Sequence, residues 1–237
     1  MIRLAVSGAL GKMGSRIIAL AGKETDLKVV VCLESKDNPE IGKQVNDVKV
    51  TADTNSIKEA DVLMEFTTPE ATMEHVEYAI RFRKPMVIGT TGLSEEEKKQ
   101  IKQLSKMIPI VLSPNMSVGV NVLFKIVKEA ALKLSHYKVS IVEAHHVHKK
   151  DSPSGTAKRL AEIVEDASKT KVSDIRSIRE GEIVGDHEVI FESPFDKIRL
   201  SHSAKTRDIL AQGALQAARW IIQKKAGLYD MQDVLGK

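Results

Sequence analysis

The first half of the chain alternates short apolar runs with apolar stripes at helical spacing. Ile2 to Val6 is a run that ends at Ser7-Gly8, and Met13, Ile17, Ile18, Leu20 and Ala21 then mark one side of a helix. A second run, Val29 to Leu33, ends at Glu34, and a weaker one, Val48 to Val50, follows a polar stretch containing Pro39 and Gly42. Asp61 to Phe66 predicts a strand. Thr68-Pro69-Glu70 starts a helix through Phe82, proline being well suited to a first turn, and Pro85 to Ile88 predicts a strand ending at Gly89-Thr90-Thr91. Ser94 and Glu97 have the spacing of a capping box for a helix through Met107, before a strand from Ile108 to Leu112 that ends at Ser113-Pro114-Asn115-Met116. Such alternation predicts an α/β unit, a parallel sheet wrapped by helices. Ligands of open sheets of this kind bind beyond the carboxyl ends of the strands.

The second half has a different rhythm. A helix from Val118 to Leu134 carries apolar residues at Val120, Leu123, Ile126, Val127, Ala130, Ala131 and Leu134, and a strand from Lys138 to Ala144 leads to a helix over about Thr156 to Ser168. Three runs then follow without helices between them: Ile175 to Arg179, Ile183 to Phe191 and Ile198 to His202. They predict an α+β unit with an antiparallel or mixed sheet and helices on one side. Glu188, Ile190 and Glu192 alternate with His187, Val189 and Phe191, so the sheet has two unlike faces, and an apolar face beyond the reach of two helices implies symmetric self-association. Asp208 to Lys225 is again helical, and Gly227 to Leu235 is expected to return to the first unit. The expected domains are therefore 1–116 with 206–237, and 117–205.

Gly8-Ala9-Leu10-Gly11-Lys12-Met13-Gly14 follows the first strand and opens the first helix, the context of a dinucleotide phosphate loop. Its spacing is G-x-x-G-x-x-G: Leu10 stands at the usual second glycine, so close approach to a pyrophosphate falls to Gly11. Glu34, ending the second strand twenty residues after Gly14, is placed to bind the adenine-ribose hydroxyls. A carboxylate there favours NADH over NADPH, and Lys36 partly offsets the repulsion, so use of either nucleotide is expected.

Glu143-Ala-His-His-Val-His-Lys-Lys-Asp-Ser-Pro-Ser-Gly-Thr156 is the densest chemistry in the chain, with three of its seven histidines. Taken as extended, it puts Glu143, His145, Val147 and Lys149 on one side and His146, His148 and Lys150 on the other. Ser152-Pro153-Ser154-Gly155-Thr156 opens a helix whose first N–H groups attract anions. Imidazole, ammonium and helix start together predict a carboxylate or phosphate pocket with a proton donor attached. A solvated basic loop is the plain alternative; a metal site is disfavoured by the adjacent lysines.

Composition narrows the partners. Aromatics are 4% and the net charge is +4, which suits small anions rather than nucleic acid. One cysteine, Cys32, excludes an intramolecular disulfide framework and fits a reducing compartment. It lies in the apolar run 29–33, where a thioester-forming dehydrogenase would not keep its nucleophile. No apolar stretch reaches membrane-spanning length and the first residues have no signal-peptide layout, so a cytoplasmic protein with no membrane partner is expected. A nicotinamide-sensing regulator would need a DNA-reading helix-turn-helix, and none is found.

Ser7-Gly-Ala-Leu-Gly-Lys-Met-Gly14, Glu65-Phe-Thr-Thr-Pro69, Gly89-Thr-Thr-Gly92, Ser113-Pro-Asn-Met116 and Glu143 through Ala157 together resemble the 4-hydroxy-tetrahydrodipicolinate reductase (dihydrodipicolinate reductase) family, in order and through nearly the whole chain. One departure is at position 35, where many relatives carry arginine and this chain has Ser35. The resemblance implies a Rossmann domain completed by the C-terminal helix, and a substrate domain that forms a homotetramer through its sheet. It implies NADH- or NADPH-dependent reduction of a cyclic imine bearing two carboxylates, with loss of water. On that reading His146, Lys149, Gly155 and Thr156 grip the dicarboxylate, and His145 donates the proton, with Lys149 assisting or taking its place. Gly89, Thr90, Thr91, Ser113, Pro114, Asn115 and Met116 line the nicotinamide and its ribose. No metal is implied. A related reductase of another small anionic imine or carbonyl compound stays open as the alternative.

Overall fold

A computed structural model of the chain describes residues 1–236. The chain forms two compact units, Met1–Ser117 together with the segment from Leu210 onward, and Val118–Ile209.

In the first unit, β1 (Ile2–Ser7), α1 (Gly14–Ala21), β2 (Leu27–Leu33), β3 (Gln44–Val45) and β4 (Val48–Thr51) are followed by a 3-10 turn over Thr54–Glu59. Then come β5 (Val62–Glu65), α2 (Pro69–Arg81), β6 (Met86–Ile88), α3 (Glu95–Leu104) and β7 (Pro109–Leu112). The strand order is β12-β7-β6-β5-β1-β2-β4-β3, where β12 is Gly227–Tyr229, and every pairing is parallel except β3 with β4. That exception is a two-residue hairpin. Asn46 and Asp47 have φ of 48° and 63°, the left-handed pair that such a turn requires, and Asn and Asp tolerate it best among residues with a side chain. The predicted alternation thus gives a Rossmann-like, largely parallel sheet. Its core joins β-strand residues Ala5, Val31, Leu63, Met86 and Ile110 to Val76, Ala79 and Ile101 of the helices. Cys32 is buried in β2, and burial pushes its thiol up to about 11.

The second unit runs α4 (Val118–Lys133), β8 (Lys138–His145), α5 (Gly155–Ser168), β9 (Asp174–Arg179), β10 (Asp186–Glu192) and β11 (Lys197–Ser203). Its sheet has the order β11-β10-β8-β9; β10 is antiparallel to both β8 and β11, and β9 is parallel to β8. The sheet is mixed because α5 carries the chain back over it between β8 and β9, whereas β10 and β11 are joined by the short turn around Pro194-Phe195. Strand β10 starts at Asp186, not at Ile183, because Ile183 and Gly181 are spent on the loop after β8. Val139, Ile141, Val189 and Phe191 pack with Leu123, Val127, Leu160 and Val164 of the two helices.

The chain ends with α6 (Asp208–Ile221), β12 and α7 (Met231–Val234). The return of 227–235 is made by β12, which adds to β7 at the edge of the first sheet. Arg219 of α6 bonds Asp26 at 2.7 and 2.9 Å and Glu24 at 2.7 Å. Among the described residues, no helix is long and apolar enough to cross a membrane.

Candidate active site

Strand β1 lies between β5 and β2, so the sheet's winding reverses there, at the place where dinucleotides bind in such folds. The glycine loop fills this position and is held on every side. Gly8 and Ala9 both donate to Leu33 O at 3.1 Å, and Gly11 donates to Gly8 O at 2.9 Å. Gly8 has φ +72°, and a Cβ on it would stand 2.6 Å from Phe66 O. A Cβ on Gly14 would stand 2.1 Å from Gly8 O, so only glycine lets the first helix begin against the loop. Met13 caps α1 without a side-chain bond; Ser15 N–H already donates to Gly11 O at 3.1 Å, and the helix start keeps the anion preference of its dipole. Gly11 and Lys12 are exposed beside it. Glu34 accepts from Leu10 N–H at 3.0 Å and from Ser35 N–H at 3.2 Å, so its carboxylate stands against the loop as the ribose-binding position requires. A cradle that a Cβ would fill, an uncapped helix start and an acid ending β2 fit a dinucleotide.

The turns after β6 and β7 lie at the same edge of the sheet. A Cβ on Gly89 would overlap the Phe66 ring at 2.1 Å. Thr91 is exposed, but Thr90 is buried and its hydroxyl accepts from Thr67 N–H at 3.3 Å and bonds Thr72 Oγ1 at 2.8 Å. Ser113 Oγ donates to Asn115 O at 2.8 Å, and Asn115 Oδ1 accepts from Ser117 N–H at 2.9 Å. Pro114 is exposed and Met116 buried.

In the second unit the histidine tract is built on a buried ion cluster. Glu143, fully buried, accepts both guanidinium arms of Arg179 at 2.8 and 3.0 Å, and its Oε2 lies 2.5 Å from His145 Nδ1. Arg179 reaches it because it is the register partner of His145 in the parallel β8–β9 pair. Two more bonds, to Ile178 O and Asp151 O at 2.7 Å each, fix the guanidinium. Burial works against the charge on Glu143, but Arg179 and His145 outweigh it and hold the carboxyl down at about 2. An ionised Glu143 accepts only, so His145 carries a proton on Nδ1 and turns Nε2 toward Gly185, where a Cβ would lie 3.1 Å away. His145 itself is held below its ordinary value by burial, with Lys149 and Arg179 acting in the same direction and Glu143 against them.

His187 of β10 stacks edge-on against His145, ring centroids 5.1 Å apart. Its Nε2 lies 3.1 Å from Ser154 Oγ, the cap that accepts Ala157 N–H at 3.2 Å. Burial, and then the charge of His145, push His187 down to about 4. The hydrogen bond between this ring and Ser154 Oγ fixes the start of α5. Gly155 is exposed there, with no atom within 4 Å of a Cβ built on it, and Thr156 follows in the first turn.

The extended reading of 143–150 fails beyond His146. Glu143 and His145 do share the buried face, but His146 and Val147 donate to Ile183 O and Gly181 O, and Lys149 N–H bonds back to His146 O at 3.1 Å, closing a turn. Lys149 thus reaches the site through a turn instead of by alternation, with Nζ 2.8 Å from Asp151. His146 accepts from Arg207 at Nε2, 3.1 Å, and its ring lies 6.1 Å from that of His148. The sequence alone does not single out Arg179, His187, Gly185 or Arg207, and gives Glu143 no role. The i,i+2 spacing of Glu143 and His145 was the available signal; Arg179 and His187 are brought in by strand register, which spacing does not encode. Among the described residues, no group of three or more His, Cys, Asp or Glu side chains is placed to hold a metal ion.

Comparison with known proteins bears on this arrangement. Residues 2–116 match the family model "Dihydrodipicolinate reductase, N-terminus" and residues 119–235 match "Dihydrodipicolinate reductase, C-terminus". The chain is 40% identical over 266 positions to the 4-hydroxy-tetrahydrodipicolinate reductase of Syntrophus aciditrophicus (strain SB), and 42% identical over 265 to that of Trichlorobacter lovleyi; each alignment covers 100% of this chain and 99% of the relative. Its fold is similar to a dipicolinate-bound dihydrodipicolinate reductase from Paenisporosarcina sp. TG-14, with TM-score 0.85, 23% identity and 98% of each chain covered.

Proposed function

This chain belongs to the dihydrodipicolinate reductase family, and from that premise we propose how its own residues carry the reaction. The reaction is the pyridine-nucleotide-dependent reduction of 4-hydroxy-tetrahydrodipicolinate to tetrahydrodipicolinate, with loss of water, in the diaminopimelate route to lysine. The bound reduced nicotinamide supplies a hydride. Gly8, Ala9, Leu10, Gly11, Lys12 and Met13 hold the pyrophosphate, and Glu34 takes the adenine ribose. Gly89, Thr90 and Thr91 with Ser113, Pro114, Asn115 and Met116 line the nicotinamide half, Thr90 through its backbone since its hydroxyl is engaged inward. Glu34 favours NADH, and exposed Lys36 lets the phosphate of NADPH be tolerated.

The substrate's carboxylates go to His146, Lys149 and the N–H groups at Gly155 and Thr156. Dipicolinate, bound in the structurally similar reductase, carries the same two carboxylates. Hydride addition to the conjugated ring leaves an enamine that takes a proton, and His145 delivers it from Nε2, with Lys149 assisting. The observation that carries this assignment is the Arg179–Glu143–His145 line. A buried carboxylate fixes the tautomer and the direction of the ring, and a neighbouring dianion raises the imidazole's proton affinity as it binds.

The second unit also supports self-association. Val142, Ile178 and Ile190 lie outside the core that α4 and α5 form on the other side of the sheet, and a homotetramer built on that face is part of this reading. The test of function is direct: the protein is mixed with NADH or NADPH and enzymatically generated 4-hydroxy-tetrahydrodipicolinate, and absorbance of the reduced cofactor is followed. Oxidation of either nucleotide is expected; none, with cofactor bound, would reject the assignment.

A further inference from the structure

The carboxyl ends of β1, β5 and β6 carry a buried polar network that phosphate binding does not explain. Glu65 ends β5 fully buried, register partner of Ser7 across the β1–β5 ladder. Its Oε2 lies 2.7 Å from His75 Nδ1 on α2, and Ser7 Oγ lies 3.1 Å from the same nitrogen. Its Oε1 accepts from the Thr67 hydroxyl and, at 3.5 Å, from that of Thr72. Thr72 also bonds Thr90 Oγ1 at 2.8 Å, and Thr90 Oγ1 accepts Thr67 N–H at 3.3 Å. Carboxylate, Thr67, Thr90 and Thr72 therefore form a closed ring that ties the turn after β5 to the turn after β6.

A fully buried carboxylate is costly unless a cation and hydrogen bonds compensate it. His75 is the partner that compensates it, hydrogen-bonded through Nδ1. Burial works against its protonation, but the bond to Glu65 and the charge of Glu65 outweigh it, with Glu74 of the same helix adding to them. Apolar packing would hold α2 on the sheet at less cost. What it would not do is fix the backbone of two turns, and the first of these follows the strand next to β1, where the winding of the sheet reverses.

We propose that the Glu65–His75 ion pair is a positioning element for the nicotinamide half of the cofactor site, presetting the turns at Thr67 and Gly89–Thr91 through the hydroxyls of Thr67, Thr72 and Thr90. The proposal rests on the cofactor assignment above. Neither charged group touches the ligand in this role.

The test uses the whole chain and two ligands, NADH and ADP-ribose, which lacks the nicotinamide. His75→Leu and Thr72→Val are expected to weaken NADH about tenfold, the scale of one hydrogen bond to a charged group, while ADP-ribose affinity is unchanged. KM for NADH should rise with kcat nearly constant. His75→Asn, whose amide replaces the Nδ1–H donor to Glu65, should restore most of the loss. In the wild type, KM for NADH should climb as pH rises through the ionisation of His75, and this climb should vanish in His75→Asn. Should His75→Leu fail to fold, Thr72→Val answers the same question. Equal loss of both ligands, or undiminished NADH affinity, overturns the positioning role. A wild-type chain that binds neither ligand overturns the cofactor assignment itself, and this proposal with it.

Discussion

Replacing Glu143 by glutamine keeps the shape of the side chain and removes its charge, which isolates what the buried carboxylate does. Its carboxyl lies at about 2 against an ordinary 4.5; at 1.4 kcal/mol per unit this corresponds to about 3 kcal/mol of stability at neutral pH. The sign follows from the direction: with the folded value below the unfolded one, the contribution is present above the ordinary carboxylate range and is lost as pH falls toward 2. The figure agrees with the cost of breaking a buried ion pair. Catalysis should suffer more. Glutamine can donate to Nδ1 as readily as accept from it, so the tautomer is no longer fixed, and the charge that favours the imidazolium is gone. We expect kcat to fall by about two to four powers of ten, comparable to the loss on replacing His145 by glutamine. The assay is steady-state oxidation of the reduced nucleotide across pH. A proton donor must be protonated, so kcat falls as pH rises through the value of His145, and in Glu143→Gln this limb should move to lower pH. A variant with kcat within about threefold of wild type and an unmoved limb would show that Glu143 only holds Arg179 in the fold, and the donor would have to be sought elsewhere.

Lys149→Ala should raise KM for the substrate about tenfold or more, as loss of a charge-assisted carboxylate contact does; an unaltered value would assign the carboxylate to another group. His187 titrates near 4 in the fold and near 6.5 when unfolded, so below neutrality the unfolded chain takes up a proton that the folded one refuses. Stability should fall by about 2 kcal/mol between pH 7 and pH 5, and denaturant titrations of His187→Asn should show a shallower slope. Ile190→Lys, on the sheet face away from α4 and α5, should convert a homotetramer to smaller species by light scattering, and an unchanged mass would place the interface elsewhere.

The fold was legible wherever one residue type at one spacing carries the physics. Gly8, Gly11 and Gly14 read as a phosphate loop because no side chain fits at Gly8 or Gly14, and the apolar runs read as strands because both faces of a parallel sheet are buried. The proposed substrate site was legible as a composition, imidazoles and ammoniums ahead of a helix start, but not as a geometry. Alternation reads on to Lys150 because nothing local shows that Gly181 and Ile183 take the N–H groups of Val147 and His146. Arg179 and His187 come 34 and 42 residues after His145, and only the pairings of β8 with β9 and β10 bring them to it. The Glu65–His75 pair was hidden for the same reason: Glu65 ends a strand, His75 sits in mid-helix, and the sequence between them shows only a proline-started helix.

The two units each contain a buried glutamate hydrogen-bonded to a histidine Nδ1, at 2.5 Å in one and 2.7 Å in the other, yet the two imidazoles are displaced in opposite directions. The difference is what else the carboxylate holds. Glu65 is met otherwise by neutral threonine hydroxyls, so no second cation competes with His75 for it, and that ring holds its proton more tightly than an ordinary imidazole. Glu143 is already paired at both oxygens with Arg179, and Lys149 adds a second cation, so burial prevails over what charge remains and His145 releases its proton more easily. The same pair of side chains thereby holds the imidazole proton more tightly in one place and less tightly in the other. On this argument, removing the Arg179 charge by Arg179→Gln should raise the value of His145 toward that of His75. The alkaline limb of kcat would then move to higher pH, opposite to its movement in Glu143→Gln. If both variants moved the limb the same way, competition for the carboxylate would not be what sets the acidity of His145.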